Sequence, residues 1–231
     1  MIKRKRLGQH FLSSNSIAEK IVQEAKITNT ETVLEIGTGK GILITLLCKN
    51  AKKVISIDAD KKLYENAKKQ FDNLSNLELQ HGDGFKTGEK FDVFVSNLPY
   101  SKSRKAIEWL IQQKFERAVI MVQKEFAEKL LSNNEKRAIS TLAQYSLEMK
   151  NVLHVSKESF HPPPKVDSIV LSIKLKRNLS LDVIHTVNKL FSYRRKTLQN
   201  ILKQFDIVSN SKQRLDELDG DEIIKIAQQI T

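Results

Sequence analysis

Short β-branched runs alternate with helix-patterned segments, and four successive runs end on glycine or a polar side chain. Residues 31–36 (ETVLEI) lead into Gly37, 53–57 (KVISI) into Asp58, 77–80 into Gly82-Asp83, and 91–96 (FDVFVS) into Asn97. Helical patterns fill residues 41–50, 61–71 and 102–113 between and after them, and a further helix is expected over 16–26. A fifth strand (117–122) and a helix (124–131) follow, then late strands at 152–155 and 168–175. Strands separated by crossover helices must run parallel and be covered on both faces. The expectation is a Rossmann-like α/β fold with a mostly parallel seven-stranded sheet. The two late strands, with no full helix between them, should close it as a terminal antiparallel hairpin.

The chain's 231 residues allow one large domain and a small appendage. Beyond Arg177 the pattern is helical: 181–205 with a break near Ser192, then 212–218 and 221–230. The boundary is placed at 178–180, giving domains 1–177 and 178–231. Lys and Arg outnumber Asp and Glu by 39 to 27, a net charge of +12. That excess favours a polyanionic partner, nucleic acid first, and disfavours a small-molecule substrate. Cys48 is the only cysteine, which excludes an intramolecular disulfide and fits a reducing cytoplasm. The five histidines show no ligand-like spacing, so no metal is expected. No apolar run is long enough to span a bilayer, and the basic start (residues 1–10) lacks the apolar stretch of a secretory signal.

Ligands of open α/β sheets bind outside the carboxyl ends of the strands, which is where the punctuated positions fall. Glu35-Ile36-Gly37-Thr38-Gly39-Lys40-Gly41 is a glycine turn between strand and helix, though it fails the G-x-G-x-x-G dinucleotide pattern because Ile42 stands at the third glycine. Asp58 follows Gly37 by 21 residues, the spacing at which a carboxylate accepts both hydrogens of a ribose diol; a solvated loop is the plainer alternative. Asp83, between two glycines, can accept from an exocyclic amino group or simply close a turn. Asn97-Leu98-Pro99-Tyr100 sets an amide oxygen and backbone carbonyls beside an aromatic ring. Such a loop suits an amino group on a planar ring. Glu125 reads as a first-turn helix acid and Cys48 as core.

Lys5–Leu12 (KRLGQHFL), residues 35–41, Asp83, residues 97–100, 160–168 (FHPPPKVDS) and 191–198 (FSYRRKTL) together resemble the KsgA/Dim-type ribosomal RNA adenine dimethyltransferases. The related Erm-type enzymes share most of these motifs. The resemblance implies a class I methyltransferase fold using S-adenosylmethionine, and N6-dimethylation of adjacent adenosines in small-subunit ribosomal RNA. It implies cofactor contacts from His10, Leu12, Gly37, Gly39, Asp58, Asp83 and Asn97, with Asp58 on the ribose and Asp83 on the adenine amino group. Asn97, Leu98, Pro99 and Tyr100 would form the catalytic loop, and Tyr100 and Phe160 would sandwich the flipped base. Thr38 stands where the family often has Pro, His10 where Asn is common, and Ser101–Lys105 is more basic than usual.

Lys3, Arg4, Lys5, Arg6, Arg104, Lys105, Arg194 and Arg195 are the candidate phosphate contacts, with Lys102, Lys165 and Lys196 beside them. A monomeric cytoplasmic enzyme acting on a pre-small-subunit particle is expected, with no membrane partner. Two alternatives remain at this point. One is an Erm-type enzyme acting on large-subunit RNA. The other is a catalytically silent RNA- or DNA-binding relative, against which the intact Asn97–Tyr100 loop and Asp83 argue.

Overall fold

In the computed structural model, which describes residues 10–132 and 136–231, the alternation becomes layered α/β structure. The elements are β1 (Phe11–Leu12), α1 (Asn15–Ala25), β2 (Thr32–Ile36), α2 (Ile44–Asn50), β3 (Lys53–Asp58), α3 (Lys61–Gln70), β4 (Leu77–His81), β5 (Val93–Ser96) and α4 (Ser103–Leu110). They continue with β6 (Arg117–Gln123), α5 (Lys124–Leu131), α6 (Ala138–Ser146), β7 (Leu147–Val155), β8 (Phe160–His161), β9 (Ser168–Leu175), α7 (Leu181–Ser192), α8 (Leu198–Leu202) and α9 (Gly220–Ile230).

Among the described residues, seven strands form one sheet in the order β4-β3-β2-β5-β6-β9-β7. The pairs β2–β3, β3–β4, β2–β5 and β5–β6 are parallel, and β9 runs antiparallel to β6. From β2 the chain winds outward through β3 and β4, then returns to the other side of β2 as β5. The strand order therefore reverses between β2 and β5, and a crevice opens at their carboxyl ends. Val33, Leu34, Val54, Val93, Phe94 and Val95 are fully buried, as sheet covered on both faces requires. Separately, β1 pairs antiparallel with β8, Leu12 opposite Phe160, joining segments almost 150 residues apart in sequence. The core against the sheet takes in Ile21, Val22, Leu47, Cys48 and Phe160.

Local chemistry sets the element ends. Ser14 Oγ accepts from Ile17 N and starts α1, and Asp60 Oδ1 accepts from Lys62 N at 2.9 Å to start α3. Glu125 lies in the first turn of α5. The helix expected from residue 41 begins only at Ile44, because Gly41 has φ +77° and lies outside helical space. Residues 212–218, expected to be helical, are not. That segment runs alongside the start of α8, where Leu198 N donates to Gln213 O at 2.7 Å and Gln199 N to Ser211 O at 3.0 Å. Arg194 and Arg195, read as helical, lie exposed in the turn after α7.

By internal contacts the chain divides into two compact units: Met1–Ala106, Lys114–Ala127 and Met149–Lys174 in one, and Ile107–Gln113, Glu128–Glu148 and Leu175–Thr231 in the other. A single cut at residue 177 differs from this division because α6 packs with α7 and α9 in the second unit. Leu142, Val187, Leu190, Ile223 and Ala227 form part of that helical core. The N-terminal basic residues Lys3 to Arg6 lie outside the described residues.

A Cβ on Gly41 would stand 2.3 Å from the Phe71 ring at the end of α3. Gly41→Ala should therefore cost about 2–4 kcal/mol, from the left-handed backbone and the overlap together. Chemical denaturation measures it, and Phe71→Leu in the same chain should restore part of the loss. A change within about 0.5 kcal/mol, the range of a neutral surface substitution, would contradict this packing.

Candidate functional site

The crevice at the strand ends is a cavity of about 760 Å³. It is lined by β1, by the turn after β2, and by the carboxyl ends of β3, β4 and β5. Of the residues singled out in the sequence, His10, Leu12, Gly37, Gly39, Asp58, Asp83, Asn97, Leu98 and Pro99 line it together. The size falls within the range of small-molecule and cofactor clefts.

The glycine turn is fastened to β3. Gly37 N donates to Ile57 O at 2.7 Å, and Gly39 N donates to Asp58 Oδ2 at 2.8 Å. Gly39 has φ +58° and lies so close to Phe11 that a Cβ would meet its ring at 3.4 Å. Asp58 Oδ1 accepts from Asp60 N at 2.8 Å. Asp58 is thus buried and partly engaged, not a solvated loop carboxylate; burial pushes its carboxyl up, against the opposing pull of the Gly39 and Asp60 hydrogen bonds. Each of its two oxygens accepts one backbone hydrogen bond and can accept a second.

Beneath the turn lies a chain of buried polar groups. Ser56 Oγ donates to Glu35 Oε2 at 2.5 Å, and the Thr38 and Ser56 hydroxyls are 2.6 Å apart. Glu35 is 2% exposed, and burial pushes its carboxyl up to about 8, with the nearby Asp58 charge adding to the rise. The sequence shows Glu35 only as part of the glycine motif. The available signal was a carboxylate at an interior strand position.

At the end of β4, Asp83 Oδ1 accepts from Phe85 N at 3.1 Å and Oδ2 from Lys105 Nζ at 2.9 Å. The Lys105 hydrogen bond is the main reason its carboxyl is held below the usual range. At the end of β5, Ser96 Oγ donates to Ile36 O at 2.5 Å and ties the two strands that flank the crevice. Asn97 is half-buried and Leu98 buried. Pro99 O accepts from Lys102 N at 2.8 Å, closing a 3-10 turn over Tyr100–Lys102.

Tyr100 ends the loop and, unlike Asn97, Leu98 and Pro99, does not itself line the cavity. Its hydroxyl is 2.7 Å from Ser168 Oγ, and its ring stacks on His10 with centroids 5.9 Å apart. His10 Nδ1 donates to Pro162 O at 2.8 Å. These contacts bring the segments 10–12, 97–100 and 160–168 to one place. Phe160 differs from the sequence reading: it is 3% exposed, held in the core by the β1–β8 pairing, and does not line the cavity. Arg104, Arg194 and Arg195 are exposed. Among the described residues no cluster of three or more His, Cys, Asp and Glu converges as a metal site would require, and no helix is long and apolar enough to cross a membrane.

The chain as a whole is similar to known proteins. Residues 2–228 match the family described as ribosomal RNA adenine dimethylase. A ribosomal RNA small subunit methyltransferase A from Thermotoga petrophila is 34% identical over 96% of this chain and 89% of its own. Among solved structures, a dimethyladenosine transferase from Plasmodium falciparum superposes with a TM-score of 0.79 at 31% identity, covering 95% of this chain and 97% of that one. The 23S rRNA methyltransferase ErmE superposes with a TM-score of 0.70 at 20% identity, covering 95% and 99%, a likeness of fold.

The buried carboxyl under the glycine turn generates a pH prediction. Glu35 binds its proton more tightly folded than unfolded, so its contribution is complete below the ordinary carboxylate range and is lost as pH rises towards about 8. Glu35→Gln keeps an acceptor for Ser56 and removes the titration. The variant's stability should fall less than wild type's between pH 5 and pH 9 in thermal unfolding. Parallel pH dependence in the two proteins would contradict it. Asp58, also pushed up, contributes a loss of the same sign that persists in both.

Proposed function

The chain belongs to the ribosomal RNA adenine dimethylase family, and on that premise we propose that it transfers methyl groups from S-adenosylmethionine to the N6 atoms of adjacent adenosines in small-subunit ribosomal RNA. The observation that carries the proposal is the convergence of Asp58, Asp83 and the loop residues Asn97, Leu98 and Pro99 on one cavity beside the glycine turn. The donor set fits the cofactor. Gly39, where a Cβ would meet the Phe11 ring, lets the turn close against β1 at the cavity wall. Asp58 would hold the ribose hydroxyls and Asp83 the adenine amino group. Gly37, His10 and Leu12 would line the remainder. When bound, the cofactor supplies an activated methyl group on a sulfonium.

The chain's own part is orientation and electrostatics. An exocyclic amine is a weak nucleophile because its lone pair is delocalised into the ring. Asn97 Oδ1 would accept one of its hydrogens and Leu98 O the other. Pro99 O, which accepts from Lys102 N at 2.8 Å and keeps a second lone pair, is the alternative backbone acceptor. Two acceptors draw the nitrogen towards a tetrahedral shape and stabilise the positive charge developing on it. No proton-abstracting side chain is required in the loop. The Tyr100 ring, anchored through Ser168, would stack on the target base, and the adenosine would be extruded from its RNA at a cost of a few kcal/mol. Phe160 would form part of the wall behind β1 rather than present a free ring face. Arg104, Arg194 and Arg195, together with Lys3, Arg4, Lys5 and Arg6, would contact phosphates, which the +12 net charge supports.

The test is transfer of labelled methyl to unmethylated small ribosomal subunits, with the modified adenosines mapped by mass spectrometry. Adjacent N6,N6-dimethyladenosines in small-subunit RNA are expected. Label only in large-subunit RNA, or in none, would refute the proposal. Asn97→Ala should lower turnover by about 10²–10³, the loss typical of removing one preorganised polar group at a reacting centre. Its affinity for RNA should stay within about twofold of wild type, the size of a near-neutral contact change. Wild-type turnover in that variant would remove Asn97 from the mechanism.

A further inference from the structure

Lys105 stands in the first turn of α4, directly after the Asn97–Tyr100 loop and its 3-10 turn. Its sequence neighbours suggest a phosphate contact, yet its ammonium is committed to two residues that line the cleft, although Lys105 itself does not line it. Nζ lies 2.9 Å from Asp83 Oδ2 and 4.9 Å from the centroid of the Phe85 ring. Asp83 and Phe85 both line the cavity. The pair joins two separate strand ends, that of β4 and that following β5.

Each contact alone is weak. The two side chains are 46% and 40% exposed, and an ion pair that open contributes little to stability. Its consequence is for what Asp83 presents. Oδ1 is turned towards Phe85 N and Oδ2 towards Lys105, which fixes the carboxylate plane and leaves one lone-pair direction on each oxygen. With the ammonium beside it, Asp83 is held ionised and acceptor-only; Lys86 in the same turn acts in the same direction more weakly. An acceptor-only group discriminates at position 6 of a purine. A 6-amino group offers it a hydrogen, whereas a 6-oxo group faces it with lone pairs. A polar group left unpaired in this way is what makes such discrimination large.

We propose that Lys105 is a positioning residue for the cofactor's base: it pins Asp83 as an oriented acceptor and so sets the preference for a 6-amino over a 6-oxo purine. The inference rests on Asp83 meeting the adenine amino group, as the proposed function has it. It takes Lys105 out of the set that grips phosphate. Packing over Phe85 gives the ammonium a second anchor, so the long side chain does not need the ion pair alone to stay in place.

Isothermal calorimetry with S-adenosylhomocysteine and S-inosylhomocysteine, which differ in the group at position 6, tests it on the full chain. Lys105→Met retains the stem and loses the charge; Lys105→Arg retains the charge; Asp83→Asn tests the underlying assignment. Lys105→Met should bind the adenosyl ligand about three- to tenfold more weakly, the reach of one exposed ion pair plus one cation–π contact. Its affinity for the inosyl ligand and for RNA should not change, and Lys105→Arg should restore most of the discrimination. Asp83→Asn should lose discrimination at least as strongly. Equal weakening of both ligands by Lys105→Met, or a loss confined to RNA affinity, would overturn the inference. So would wild-type discrimination in Lys105→Met when Asp83→Asn has lost it. Wild-type discrimination in Asp83→Asn would overturn it at its root, by removing Asp83 from the adenine site.

Discussion

The parallel pairing of β2 with β5 is the constraint on which the rest depends. It places the residues after both strands side by side, with Val33 opposite Val93 and Glu35 opposite Val95. The Ser96 hydroxyl then closes the seam by donating to Ile36 O at 2.5 Å. Because the strand order reverses here, no crossover covers the gap, and the glycine turn and the Asn97 loop face a common space. Buried β-branched and aromatic side chains in β2, β3 and β5 hold the register. Slippage by one residue would turn the core face of a strand outward and misplace Asp58 or Asn97 with it.

Electrostatics divides this space. Asp58, buried at the end of β3, and Asp83, exposed after β4, both line the cavity, whereas Glu35, at the end of β2, is pushed up to about 8 by burial. Keeping Glu35 protonated near neutral pH avoids a third negative charge beside Asp58. It also lets the Glu35–Ser56–Thr38 chain support the turn without an unpaired buried ion. Thr38 contributes a hydroxyl to that chain at a position where proline would contribute none. Among the described residues, Arg104, Arg194 and Arg195 are exposed, as side chains suited to phosphate contact would be.

Much of this was legible in the sequence. Strand runs ending at Gly37, Asp58, Asp83 and Asn97 located the cleft, because strand periodicity and glycine placement are local properties. The solved dimethyladenosine transferase from Plasmodium falciparum carries the same fold. What the sequence hid is non-local. The pairing of Phe11–Leu12 with Phe160–His161 depends on closure over almost 150 residues, and it is what buries Phe160 instead of offering its ring to a ligand. Helix α6 was overlooked because Ala138 to Ala143 is buried on every side and shows no polar face. Residues 212–218 carry helix-forming side chains, but Gln213 and Arg214 pair with the start of α8 and the chain then turns at 215–217. Lys105 looked like one more solvated cation; only the fold shows it turned onto Asp83.

The most direct measurement is a crystal structure with S-adenosylhomocysteine bound. The adenine amino group should lie within hydrogen-bonding distance of Asp83, the ribose hydroxyls on Asp58, and the sulfur should face Asn97. A ligand seated elsewhere, one reversed so that its sulfur points away from Asn97, or no ligand at saturating concentration would contradict this placement.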